Sequence, residues 1–97
     1  DIFEVIELGP GTAGSHPDEL TAMGGRLYFE ANDGTAGTQL WEYDGSESPS
    51  LGTAIRQVTI NGSGSAHPGA LSVFNNRLVF HADDGVNGRE LWTLYIK

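Results

Sequence analysis

The side chains best suited to chemistry fall in two similar stretches, "ANDGTAGTQLW" (31–41) and "ADDGVNGRELW" (82–92). In the second, Asp83, Asp84 and Asn87 set oxygen donors around two glycines, with Glu90 close behind. Hard cations such as calcium are held by several such oxygens. The first stretch has Asn32 and Asp33 but Ala36 where Asn87 stands, and neither loop completes a calcium-binding pattern. The same residues also make a turn, because aspartate bonds its own following backbone and glycine supplies positive φ. The preferred reading is therefore a pair of hairpin turns at Asp33-Gly34 and Asp84-Gly85. Calcium at Asp83, Asp84 and Asn87 is the alternative, and no other cofactor is expected.

Other reactive side chains do not assemble into a recognisable centre. His16 and His67 each precede a proline, and the third histidine, His81, sits in a strand-like run. A zinc site needs at least three converging ligands. Ser15 and Ser65 lie near histidines but in no nucleophile-elbow context. Asp83 and Asp84 are neighbours on a turn, not carboxylates facing each other across a cleft. No glycine-rich phosphate loop with a lysine occurs. The expectation is a chain that is not an enzyme, with a hydrolase the least favoured reading.

The aromatic residues offer binding surfaces instead. Trp41 and Trp92 occupy the same place in two Leu-Trp strands, where packing is preferred over a sugar-stacking platform. Tyr28 and Tyr43 are the aromatics to test for glycan contact, and they become Val79 and Leu94 in the second stretch. That change argues against a glycan site repeated in every unit. The candidate ligand contacts are Tyr28, Tyr43, Trp41 and Trp92, with Glu30, His81 and Arg89 beside them.

Bulk composition narrows the class of partner. The chain has 97 residues, no cysteine, and a net charge of −8 from 13 acidic and 5 basic residues. Such a surface repels phosphate backbones, so nucleic acid is excluded as a partner. No segment is apolar enough to insert in a membrane, and no signal peptide is evident. The start at Asp1, without methionine, fits a processed or excised segment. Fourteen glycines with scattered β-branched and aromatic residues point to an all-β chain of short strands and tight turns.

What must position these residues is a repeat. Residues 16–43 and 67–94 align without a gap, and 12 positions are identical, from His16/His67 and Pro17/Pro68 to Leu40/Leu91 and Trp41/Trp92. "VIELGPG" (5–11) lies over "QVTINGS" (57–63) with one residue of slippage. In 26–33, Leu27, Phe29 and Ala31 share one face and recur as Leu78, Phe80 and Ala82, while Tyr28, Glu30 and Asn32 change. Identity with period two marks one face as packing and the other as free to vary. Strands are expected over 19–23, 26–32, 38–43 and 54–60, then over 70–74, 77–83 and 89–96. The repeats span 19–60 and 70–96, within a single segment 1–97. The second unit lacks a fourth strand, and residues 2–8 carry a matching one.

Four-stranded antiparallel units of this size are the blades of propellers. Two blades cannot close a ring, so self-association or a longer array is implied. Residues 2–8 are expected to complete the 70–96 blade, between chains rather than within one. Three chains would give six blades and four would give eight; the trimer is slightly favoured.

The segment "ELGPGTAGSHPDELTAMGGRLYFEANDGTAGTQLWEYDG" resembles the bacterial ELWxxDGT repeat family, and "GSAHPGALSVFNNRLVFHADDGVNGRELW" continues the likeness. Gln39 stands where the family has glutamate, which Glu90 keeps, and Tyr95-Ile96 replaces the Asp-Gly that follows the first tryptophan as Asp44-Gly45. The resemblance implies secreted or surface-attached, propeller-forming proteins without an established catalytic activity. The functional expectation is an extracellular recognition or adhesion module that binds a protein or cell-surface partner. A lectin with glycan sites between blades is the alternative.

Overall fold

A computed structural model describes residues 5–8, 14–46 and 53–95, and over these the chain is all-β. The strands are β1 (Asp18–Met23), β2 (Arg26–Asn32), β3 (Thr38–Tyr43), β4 (Ile55–Val58), β5 (Gly69–Phe74), β6 (Arg77–Asp83) and β7 (Arg89–Leu94). They form two antiparallel meanders: a four-stranded sheet A ordered β1-β2-β3-β4 and a three-stranded sheet B ordered β5-β6-β7. The two share one register. Phe29 pairs with Trp41 in sheet A as Phe80 pairs with Trp92 in sheet B.

The turns explain why the strands start and stop where they do. Gly24 and Gly25, with φ of 59° and 77°, join β1 to β2, and Asn75 and Asn76, at 52° and 60°, join β5 to β6. Both pairs meet the demand of a two-residue hairpin for positive φ, which asparagine tolerates better than other residues with a side chain.

The sheets stack face to face, and sheet A carries apolar clusters on both of its sides. Between the sheets, Met23, Tyr28 and Leu40 of sheet A meet Leu78, Phe80 and Ala82 of sheet B, with Ala66 at the junction. On the far side of sheet A, Phe29, Ala31, Trp41 and Ile55 pack with Leu8. The alternating pattern suggested a single packing face per strand, with Tyr28 on the free side. Tyr28 is instead 0% exposed. The face of β2 that varies between the copies is the one that meets sheet B, so it is buried without being repeated.

The strand expected at 2–8 is not formed over residues 5–8, which run irregularly; residues 2–4 lie outside the described set. Leu8 packs on the side of sheet A opposite to sheet B, so within the chain it lies across a whole sheet from β7. Among the described residues, β7 has a partner on one edge only.

Candidate functional site

The Asp-Gly loops are built as turns, down to individual atoms. Asp33 Oδ1 accepts the Thr35 and Ala36 N–H groups at 2.9 and 3.0 Å, and Asp84 Oδ1 accepts those of Val86 and Asn87 at 2.9 Å each. One residue earlier, Asn32 Oδ1 takes the Gly34 N–H and Asp83 Oδ1 takes that of Gly85. The backbone bonds from Asn87 and then Val86 hold the Asp84 carboxyl below its ordinary value. Asn87 turns its amide nitrogen toward Asp84 Oδ2 at 3.3 Å, a donor where a cation would need an acceptor. Among the described residues, no three His, Cys, Asp or Glu side chains converge as metal ligands.

Most of the aromatic candidates are occupied by packing. Trp41 is buried and donates its indole N–H to the Ala31 carbonyl at 3.2 Å. Trp92, half-buried, repeats this to Ala82 at 3.3 Å. The Tyr28 hydroxyl donates to Glu42 Oε2 at 2.9 Å, and burial followed by the neighbouring Glu42 pushes its pKa up to about 12. Tyr43 is half-buried, with its hydroxyl on the Ser46 carbonyl at 2.6 Å. Glu42 is itself a hub, receiving Arg26 at 3.0 Å and Arg56 at 2.8 Å. Burial pushes its carboxyl up, but the bonds from Arg56, Tyr28 and Arg26 outweigh this and hold it below the ordinary value.

Of the remaining three candidates, His81 and Arg89 are bonded to each other, and Glu30 stands apart on sheet A. β1 and β5 each carry a bulge, between Asp18 and Thr21 and between Gly69 and Ser72. The residue inside each, Glu19 at φ 58° and Ala70 at φ 54°, is left-handed without being glycine. Bulges re-aim side chains, and this one turns Glu19 onto the neighbouring sheet, where its Oε1 accepts the Leu71 N–H at 3.1 Å. Asp18 sits opposite Glu30 in the ladder. Burial, then Asp18 and Glu19, raises the Glu30 carboxyl, while His67 and Arg89 pull it back. On sheet B, Arg89 Nε donates to His81 Nδ1 at 2.8 Å and its Nη2 donates to the His67 carbonyl. An acceptor Nδ1 leaves Nε2 as the nitrogen that carries the ring proton.

Asp18, Glu19 and Glu30 thus lie on sheet A within electrostatic reach of His67 and Arg89, while Arg89 is bonded to His81, which pairs with Leu91 on the outer face of sheet B. Gly69 makes room for the His81 ring, since a Cβ there would stand 2.7 Å from His81 Cε1. The arrangement offers carboxylate acceptors beside a guanidinium and imidazole, which suits a polar partner that both donates and accepts hydrogen bonds. Ser65 Oγ, outside this arrangement, accepts the Thr38 N–H at 2.9 Å.

Sequence reasoning singled out Glu30, His81 and Arg89 but set His67 aside as a residue before a proline and passed over Asp18 and Glu19. The bulge that turns Glu19 onto the neighbouring sheet leaves no mark in residue type. It also missed Gln39, which is 0% exposed and holds the sheet junction. Its amide nitrogen donates to the carbonyls of Ala36, Asn61 and Gly64 at 3.1, 2.9 and 2.7 Å, while its oxygen accepts the Ile60 N–H at 3.1 Å. The one signal was its place as a departure from the glutamate implied by the family resemblance. Comparison with protein-family models, curated proteins and solved structures found no match.

Proposed function

We propose that this chain is a non-enzymatic recognition or adhesion module that works outside the cell or at its surface, built from propeller blades of the kind the ELWxxDGT resemblance implies. The observation that carries the reading is the polar cluster around Arg89, which bonds His81 and the His67 carbonyl and acts on Glu30 of the other sheet, while the large aromatics are spent on packing. Such a cluster, with no nucleophile poised in it, is suited to holding a polar surface and not to transforming a substrate. A protein or cell-surface partner is the favoured ligand.

The test is binding of the fluorescently labelled chain to intact bacterial and eukaryotic cells, compared with a variant carrying Glu30→Gln, His81→Ala and Arg89→Ala. Binding that is saturable and lost in the variant is the expected result. Equal binding by the two proteins refutes the site.

A glycan-binding reading draws on one further feature, a recess lined by Thr35, Thr59, Asn61, Ser63 and Gly64 with a polar wall. Competable signals on a glycan array would promote the lectin over the adhesion module.

A further inference from the structure

The two outer faces of the stacked sheets are complementary to one another. On the outer face of sheet A, an open apolar groove is lined by Pro17, Leu20, Leu27, Phe29 and Tyr43, with Leu8 along its wall. The same positions in the second repeat are Pro68, Leu71, Leu78, Phe80 and Leu94. There no groove is left: Leu71, Leu78, Phe80 and Leu94 lie in the core between the sheets, covered by Met23, Tyr28 and Leu40. The counterparts of those three covering residues are Phe74, Val79 and Leu91, and all three line the outer face of sheet B. The leucine at this position is 0% exposed as Leu40 and 76% exposed as Leu91, and Phe74 is 65% exposed. One molecule thus carries a filled seam in its middle, the knobs of that seam on one outer face, and its socket on the other.

We propose that a second copy of this chain docks on the outer face of sheet B, seating Phe74, Val79 and Leu91 of one copy in the Pro17–Leu20–Leu27–Phe29 groove of the next. The seam inside the chain is the template for this contact, position for position, which is why the occupant is a copy and not an unrelated partner. The copy also brings a strand to the open edge of β7. Leu8 relates to Phe29 as Ile60 relates to Phe80, each packing with the core that holds its phenylalanine. Residues 5–8 of the docked copy would therefore run beside β7 as β4 runs beside β3, with Ile6 opposite Leu91 as Val58 is opposite Leu40. The contact is heterologous, joining unlike faces, so repetition gives a ring where the rotation closes and a filament where it does not. It stands on the repeat geometry alone, whatever the module recognises.

Two substitutions at exposed positions test it, one on each face: Leu91→Asp and Leu20→Asp, the latter at a residue 62% exposed. Sedimentation of the full chain across the micromolar range should show a mass that grows with concentration. Each variant alone should stay a folded monomer by circular dichroism and sedimentation. Mixed in equal amounts, they should form a heterodimer and nothing larger, because L91D keeps its groove, L20D keeps its knobs, and only one productive seam remains. A parent chain that stays monomeric throughout, a variant that associates as the parent does, or a mixture that stays monomeric would each overturn the proposal. Should an aspartate variant fail to fold, Leu91→Ser and Leu20→Ser give the same comparison with the same outcomes.

Discussion

Replacing Gln39 by leucine keeps the volume and removes every hydrogen bond the side chain makes, so it isolates what the amide does. Gln39 is fully buried, and its amide lies within hydrogen-bonding distance of five backbone groups, its two N–H groups shared among the carbonyls of Ala36, Asn61 and Gly64 and its oxygen facing the N–H groups of Ile60 and Asn61. The bonds to Ala36, Gly64 and Ile60 are only part-buried, and water can replace them in a variant. The two groups of Asn61 are buried, and the Asn61 N–H bond, at 3.4 Å, is the weakest of the set. Each buried group left without a partner costs about 1–3 kcal/mol, which puts Gln39→Leu near 2–6 kcal/mol. A domain of this length has on the order of 5–15 kcal/mol in total, so the loss is a large share. At roughly 4–8 °C per kcal/mol, the melting temperature should fall by ~8 °C or more. Gln39→Glu gives a second handle. Its carboxylate still accepts the two N–H groups but faces three carbonyl oxygens where an amide nitrogen stood, so its pKa rises on folding. A raised carboxyl pKa contributes stability that is fully present below the unfolded value and lost as pH rises through the folded one. Q39E should therefore be most handicapped at neutral pH and recover part of the deficit in mild acid. Thermal and urea melts at the two pH values measure both. A Gln39→Leu variant within about 1 kcal/mol of the parent would refute the reasoning, since unsatisfied buried groups cannot be that cheap.

The hub at Glu42 carries the opposite pH signature: with its carboxyl held below the ordinary value, it contributes stability that is present above the unfolded pKa and lost as pH falls through the folded one. Glu42→Gln should remove that part of the acid sensitivity in urea melts between neutral and acid pH, with a cost of about 1–3 kcal/mol at neutral pH. Glu30 is raised by burial and by Asp18 and Glu19, so Glu30→Gln should raise the melting temperature at neutral pH, by an amount worth at most ~1 kcal/mol because the site is half open to water. At acid pH, where the Glu30 carboxyl is protonated, parent and variant should converge. Excess calcium and excess chelator should give melting temperatures that agree within about 1–2 °C, because the Asp33 and Asp84 oxygens are already engaged by turn N–H groups; a clear calcium-dependent rise would restore the cation reading.

The strands were legible because two independent signals agreed. Alternation set the packing face of "RLYFEAN" and "RLVFHAD", and the Asp-Gly loops marked the turn that follows each. What could not be read was the second packing face of sheet A. Tyr28 and Val79 differ because one lies inside a seam and the other at the end of the stack, so variation between copies reflected position, not freedom. The site was half legible for a related reason. Glu30, His81 and Arg89 stand out as polar residues in strands, but Glu19 and Ala70 give no hint that their backbone is left-handed. Nothing short of the bulge itself places Glu19 on Leu71. The loop aspartates were the reverse case, where local chemistry was enough: Asp-Gly turns are decided by atoms within three residues of each other.

The clamp on Glu42 has a mechanical consequence. It fastens Arg26 and Tyr28 of β2 and Arg56 of β4 to the middle strand β3, so three strands of sheet A must let go together. In sheet B the same place is Thr93, which cannot anchor two guanidinium groups. Opening of the molecule should therefore have a direction, with amide hydrogens of β7 exchanging first and those of β2 and β3 holding out to the global transition. A pull applied along the stack would peel the sheet that lacks the clamp and leave the clamped one standing, so the two related repeats would behave as a weak link and a strong one in series.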